Sequence, residues 1–317
     1  MPRLETIAAK RNWVRMKYPL PADAIELKSI ILSDGRKLSY CDNGVASNKA
    51  VLFHHGTPGS AQIWQLFFES AALKNVRAIS YTKAGYPGSN RASHKRISDT
   101  DGDYLELLEQ LGVTEFVSVG WSGGGPYALH STFNDACKGA ELIAAVGPYF
   151  EMGKDFLVGQ NESETFEKLD RKAESKEGCL EVSLEEIKDL ESVWTVENWQ
   201  KDVETRSSYS QFAALYPRFN ALVIPSILNA IFPDATGLGD DDHYILSDWG
   251  FKVSEATKPV SIWNGKEDHL VPEGHAYWQH SQIKGSTVHI LDTQDHVTIM
   301  VEAMEEILTS AIKKLNG

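Results

Sequence analysis

Gly120-Trp121-Ser122-Gly123-Gly124 is the segment of this chain best equipped for covalent chemistry. It follows the apolar, β-branched run FVSV and precedes GPYALH, which has helical character, so the serine falls at a strand-to-helix turn. So sharp a turn admits only small residues beside the serine, and the start of the helix leaves backbone N–H groups free. Ordinary glycine and serine frequencies produce the bare G-x-S-x-G spacing in about one chain in ten of this length. The strand-turn-helix setting therefore carries the argument. A serine alcohol is a poor nucleophile near neutral pH; it needs a base within hydrogen-bond reach, and that base needs a third group to hold its tautomer.

Ten histidines compete for the role of base. His296, in DTQDHVTIM, follows the strand-like run TVHIL, and Asp268, in NGKEDHLVP, follows VSIWN. In an open α/β sheet reactive groups collect beyond the carboxyl ends of the strands, so Ser122, Asp268 and His296 are expected on one edge from three separate segments. His289 lies inside the strand and His269 adjoins the acid, which makes both weaker candidates for the base than His296. Glu267 and Asp295 are the rival acids: the first needs a shifted loop, and the second adjoins His296 and would face it poorly. His54 and His55 are neighbours at a strand end and point to opposite faces. With no H-E-x-x-H in the chain, they read as packing or hydrogen-bonding residues and no metal is implied.

The elements that must hold these residues are legible in outline. Strand-like runs near Ser29, near Lys37, from Ala50, from Val76, from Phe116 and from Leu142 alternate with helical spacing, as in a parallel α/β sheet. The segment from Asp99 to Leu111 carries Tyr104, Leu105, Leu107, Leu108 and Leu111 on one helical face, with Ser98 or Asp99 as the cap. After about Phe150 the strand signals stop. Residues 151–204 hold sixteen acids against seven bases at helical spacing, as in Phe166/Leu169 and Leu184/Ile187, and aromatic-rich helices continue to about residue 234. Strands resume at Pro259 and Thr287, and a closing helix carries Met300, Met304, Ile307, Leu308 and Ile312 on one face, with Lys313 and Lys314 favouring its C-terminus. The expected organisation is an N-terminal arm over 1–27, a core over 28–149 and 246–317, and a helical cap over 150–245.

The 317 residues contain 44 acids and 31 bases, a net charge of −13 that disfavours nucleic acid as a partner. Three well-separated cysteines, Cys41, Cys137 and Cys179, argue against a disulfide framework and for a reducing compartment. No window approaches 18 consecutive apolar residues, and the basic opening segment lacks the apolar stretch of a signal peptide, so a cytoplasmic protein without membrane association is expected.

From roughly residue 28 to 317 the chain resembles the serine-nucleophile α/β-hydrolase family, through HHGTPGS at His54 to Ser60 and through G-W-S-G-G-G-P at Gly120 to Pro126. The resemblance implies a mostly parallel central sheet flanked by helices, with an inserted helical cap. It also implies the chain order serine, acid, histidine, met by Ser122, Asp268 and His296, and an oxyanion hole formed by the backbone N–H groups of Thr57 and Gly123. One departure stands out. Relatives often read D-R-x-G-x-G-x-S after the fourth strand, whereas this chain has Thr82-Lys83-Ala84-Gly85-Tyr86-Pro87-Gly88-Ser89, so the usual charge contacts of that loop do not carry over.

Serine at position 122 disfavours the haloalkane dehalogenases and epoxide hydrolases of this fold, which resemble it but place aspartate there. The reading that follows is a serine hydrolase acting on a small to medium uncharged carboxylic ester through an acyl-enzyme, with no metal or organic cofactor. A small-molecule acyl substrate is the partner, and a homodimer is possible. An amidase or aminopeptidase of the same fold, or a ligand-binding protein with little turnover, are the alternatives. The aromatics Trp194, Trp199, Tyr209, Phe212, Tyr216 and Phe219 are expected mostly in the cap's own core, with some available to line an apolar pocket.

Overall fold

In a computed structural model, residues 20–161, 163–193, 216–231 and 235–317 are described. The arm up to residue 19 and the aromatics Trp194, Trp199, Tyr209 and Phe212 lie outside them.

Among the described residues, eight strands form one sheet in the order β1-β2-β4-β3-β5-β6-β7-β8. They are β1 (Lys28–Ile31), β2 (Lys37–Asp42), β3 (Lys49–His54), β4 (Arg77–Tyr81), β5 (Glu115–Trp121), β6 (Cys137–Ile143), β7 (Val260–Gly265) and β8 (Thr287–Leu291). β2 runs antiparallel to both β1 and β4, and the remaining pairs are parallel. Along β3, Val51 and Phe53 enter one core cluster while Ala50 and Leu52 enter the cluster on the opposite face. Burial on both faces explains the near-continuous apolar runs of these strands.

On the first face lie α1 (Gln65–Leu73) and the closing helix; on the second lie α2 (Asp101–Gln110), α3 (Gly125–Ser131) and a helix over Glu273–Gln282. Between β6 and β7 the chain leaves the sheet for an inserted helical segment that includes α4 (Ser163–Asp170), α5 (Lys176–Val193), α6 (Pro217–Ile231) and α7 (Thr236–Leu246). Helix α7 packs against α5 and α6. The aromatic Phe219 of α6 is buried with Trp64 and Phe67 of the sheet domain, and so belongs to the main core instead of a separate cap core.

Three local expectations are corrected. The helix after β4 starts at Asp101, preceded by a 3-10 turn over Ile97–Asp99, and no side chain caps it; Asp99 instead accepts the N–H of Lys95. Strand β6 begins five residues before Leu142, because its central Glu141 is buried against a lysine that only the fold supplies. The closing helical stretch breaks at Ala303 into a single turn, α9 (Ile299–Glu302), and α10 (Met304–Asn316), after α8 (Glu273–Gln282) and β8; in α10 Lys314 turns inward to Glu141, Ser261 and Ser310.

The order in which strands are added reverses at β3: β4 pairs with it on one side and β5 on the other, all three parallel. A crevice opens outside the carboxyl ends of strands at such a switch point.

Candidate active site

Ser122 follows β5 at that switch point and is held at φ +55°, a left-handed conformation that a non-glycine residue adopts only under constraint from its surroundings. The constraint is steric. A Cβ at Gly124 would strike the backbone carbonyls of His54 and His55, so the turn after Ser122 closes directly onto the end of β3. At Gly123 a Cβ would strike the Thr57 side chain, which brings the turn after β3 against the turn after β5. The Thr57–Pro58 peptide is cis.

Asp268 sits in the turn after β7, 1% exposed. Its Oδ1 accepts the N–H groups of Leu270 and Val271 at 2.9 and 2.8 Å, and its Oδ2 lies 2.8 Å from His296 Nδ1. A carboxylate only accepts, so this contact places the imidazole proton on Nδ1 and leaves Nε2 as the basic nitrogen. The loops carrying the two residues are stitched together: Lys266 N–H donates to Leu291 O, and Glu267 N–H donates to Gln294 O. His296 is further held by Trp121, whose Nε1 donates to its backbone carbonyl at 2.9 Å and whose ring lies 5.2 Å from the imidazole.

The competing residues are occupied elsewhere. Asp295 accepts the N–H groups of Val297 and Thr298 as a local turn cap, and Glu267 and His269 are exposed. His289 stacks on Trp263, with ring centroids 4.0 Å apart, on the outer strand β8. His54 meets Tyr81 OH and Ser118 Oγ, while His55 pairs with Gly56 O and accepts the Lys83 N–H. Burial first, and the nearby Lys83 ammonium second, push both imidazoles well below the ordinary histidine range, so they stay neutral.

Sequence reasoning missed a second set of residues beside Thr57. Asp241, on α7, is 2% exposed and accepts hydrogen bonds from Thr57 Oγ1, Lys83 Nζ, Tyr86 OH and Tyr127 OH. Burial lowers the Lys83 pKa and the Asp241 carboxylate opposes that shift. The signal was present in the Thr82-Lys83 departure, but its partner sits in an acidic run, Asp240-Asp241-Asp242, that reads as a solvated helix face.

The model of the alpha/beta hydrolase family matches residues 51–308. Among curated proteins, the chain is 31% identical to a non-heme haloperoxidase of Rhodococcus erythropolis over 123 residues, which are 38% of this chain and 44% of that protein. It is 30% identical to a bifunctional esterase/perhydrolase of Acinetobacter calcoaceticus over 124 residues, 38% of this chain and 45% of that protein. The alignments thus span less than half the length of these relatives. Among solved structures, an esterase from Exiguobacterium antarcticum superposes with a TM-score of 0.63 at 17% identity, covering 92% of this chain and 99% of the other. A thermophilic esterase from Thermogutta terrifontis gives a TM-score of 0.60 at 17% identity, covering 92% and 98%. With a shared fold across nearly the whole chain and a family match over residues 51–308, the chain belongs to the alpha/beta hydrolase family.

Proposed function

We propose that the chain is a serine esterase that cleaves a small to medium uncharged carboxylic ester through an acyl-enzyme. The observation that carries this reading is the 2.8 Å contact between His296 Nδ1 and an Asp268 already locked by two backbone N–H groups, on the sheet edge that holds Ser122. Ser122 Oγ attacks the ester carbonyl as His296 Nε2 takes its proton, and Asp268 stabilises the resulting imidazolium. The oxyanion is received by the backbone N–H groups of Thr57 and Gly123, donors of a kind worth about 2.7 to 4 kcal/mol each. His296 returns the proton to the leaving alkoxide. It then takes one from water as the water attacks the acyl-enzyme, and gives it to Ser122 Oγ as the acyl–oxygen bond breaks, releasing the carboxylic acid and restoring both residues.

A fluorophosphonate probe tests the reading, because phosphonylation requires an activated alcohol. Rapid labelling confined to Ser122, lost in His296→Ala, supports it, and absence of labelling in the folded protein overturns it. Matched ester and amide substrates then separate esterase from amidase activity. The similarity to an esterase/perhydrolase supports a second acceptor: hydrogen peroxide attacking the same acyl-enzyme gives a peracid in place of the acid. Product analysis with and without peroxide distinguishes the two outcomes.

A further inference from the structure

Four donors converge on the Asp241 carboxylate. Oδ2 accepts Lys83 Nζ at 2.5 Å, Thr57 Oγ1 at 2.7 Å and Tyr86 OH at 2.7 Å, and Oδ1 accepts Tyr127 OH at 2.5 Å. Lys83 Nζ also lies 3.4 Å from Thr57 Oγ1 and 4.5 Å from the centre of the Tyr127 ring. Lys83 and Asp241 are each nearly inaccessible, at 3% and 2% exposure. A buried ion pair is weak evidence of stabilisation, since desolvation offsets much of the Coulomb attraction. What the arrangement does supply is fixed geometry, because the four donors come from three separate elements: Thr57 from the turn after β3, Lys83 and Tyr86 from the loop after β4, and Tyr127 from α3.

Thr57 is the member of this set that touches the candidate active site. Its side chain fills the space that a Cβ at Gly123 would occupy, and the preceding Gly56 is packed so tightly that its own Cβ would strike Trp121 and Ser122. The Thr57 hydroxyl donates its proton to Asp241. That proton is therefore committed to the carboxylate, which leaves the Thr57 backbone N–H as the donor for a substrate oxygen.

We propose that Asp241 is a positioning residue for the oxyanion turn: by accepting the Thr57 hydroxyl from the last helix of the inserted segment, it sets the Thr57 N–H relative to Gly123. Seating of α7 and completion of the oxyanion site then become one event. The inference rests on the esterase reading above and deepens it by naming what holds the oxyanion donors in place.

Thr57→Val removes the hydroxyl and keeps the side-chain shape; Thr57→Ser restores it. The expected result for Thr57→Val is a kcat lowered roughly 10- to 100-fold with KM within about twofold, because small displacements of a preorganised donor are felt in the transition state. Affinity for a trifluoromethyl ketone, which forms an oxyanion on Ser122, should weaken by a similar factor while the melting temperature stays near that of the parent. Thr57→Ser should return both quantities to near the parent values. Asp241→Asn should shift them in the same direction as Thr57→Val, and the double variant should lose less than the product of the two single losses. Since Asp241→Asn leaves Lys83 buried beside a neutral partner and is prone to misfold, the Thr57 pair decides the matter alone. Unchanged kcat and inhibitor affinity in Thr57→Val, or a loss that Thr57→Ser does not recover, overturns the proposal while the esterase reading stands. A parent protein that the fluorophosphonate does not label overturns both.

Discussion

The indole of Trp121 and the backbone carbonyl of His296 are joined by a 2.9 Å hydrogen bond, so the residue before the candidate nucleophile holds the candidate base directly. Both groups are buried, and a buried carbonyl deprived of its donor costs about 1 to 3 kcal/mol. Trp121→Phe keeps an aromatic ring against the imidazole but cannot donate. It should lower kcat/KM about 10-fold and unfolding free energy by about 1 kcal/mol. Steady-state kinetics and urea unfolding check this, and a kcat/KM equal to that of the parent would show that the loop holds His296 without the indole.

Asp268→Asn tests the third group. The two backbone N–H donors at Oδ1 will select the amide oxygen for that position, which turns the amide NH2 toward His296 Nδ1. Nδ1 must then accept, the ring proton moves to Nε2, and the base is blocked in the wrong tautomer. The expected loss in kcat is roughly 10,000-fold with little change in KM. Labelling of Ser122 by the fluorophosphonate should slow in parallel; undiminished labelling would remove Asp268 from the mechanism.

The strand pattern and the convergence of Ser122, Asp268 and His296 on one edge were legible because they depend on local signals: apolar runs, turn glycines, and polar residues placed just after strands. Contacts between distant segments were not. Trp121 occupies the variable position of G-x-S-x-G, and nothing local tells that its Nε1 reaches residue 296. Asp241 reads as surface charge until the fold brings Lys83 and Thr57 to it from more than 150 residues away. Glu141 and Lys314 misled in the same manner: a lone acid in an apolar run shortened the expected strand, and a lysine at a helix end took the dipole assignment, because each lacked its partner in sequence. Buried charge pairs are the features that local pattern misassigns most readily, since the residue types are those of a surface.

His275 gives the fold an acid-sensitive point. Its Nδ1 accepts the Gly147 N–H at 3.0 Å and its Nε2 donates to Phe156 O at 2.9 Å, bonds that require the neutral ring. Burial lowers its pKa to about 4, with the Phe156 carbonyl and the Asp268 charge opposing that shift. Above the unfolded value near 6.5 both states are neutral and pH has no effect through this group. Between 6.5 and about 4 the unfolded chain binds a proton that the folded chain refuses, so stability falls with falling pH, by about 3 kcal/mol over that window. His54 and His55 act in the same direction. In His275→Gln the slope of unfolding free energy against pH near pH 5 should be shallower by about 1.4 kcal/mol per pH unit, measured by urea titration. An identical slope in the variant and the parent would place the acid sensitivity elsewhere.

Glu141 and Lys314 form a buried pair at 2.5 Å, in which the carboxylate also accepts Trp263 Nε1 at 2.7 Å and the ammonium donates to Ser261 and Ser310. Burial raises the Glu141 pKa and Lys314 works against that rise. Lys314→Met removes the opposing charge and leaves a carboxylate in the core with neutral donors alone, a change that costs about 3 to 5 kcal/mol. Glu141→Gln in the same chain should recover most of the loss, because the amide oxygen still accepts from Trp263 while no charge remains to be solvated. The pH dependence separates this account from simple loss of packing. A stranded Glu141 can be relieved by taking up a proton, so the Lys314→Met penalty should shrink as pH is lowered from 8 toward 5, while the penalty of the double variant stays flat. Urea unfolding of the parent and both variants across that range supplies the comparison. A Lys314→Met penalty independent of pH would mean that the lysine contributes through its methylene packing and not through its charge.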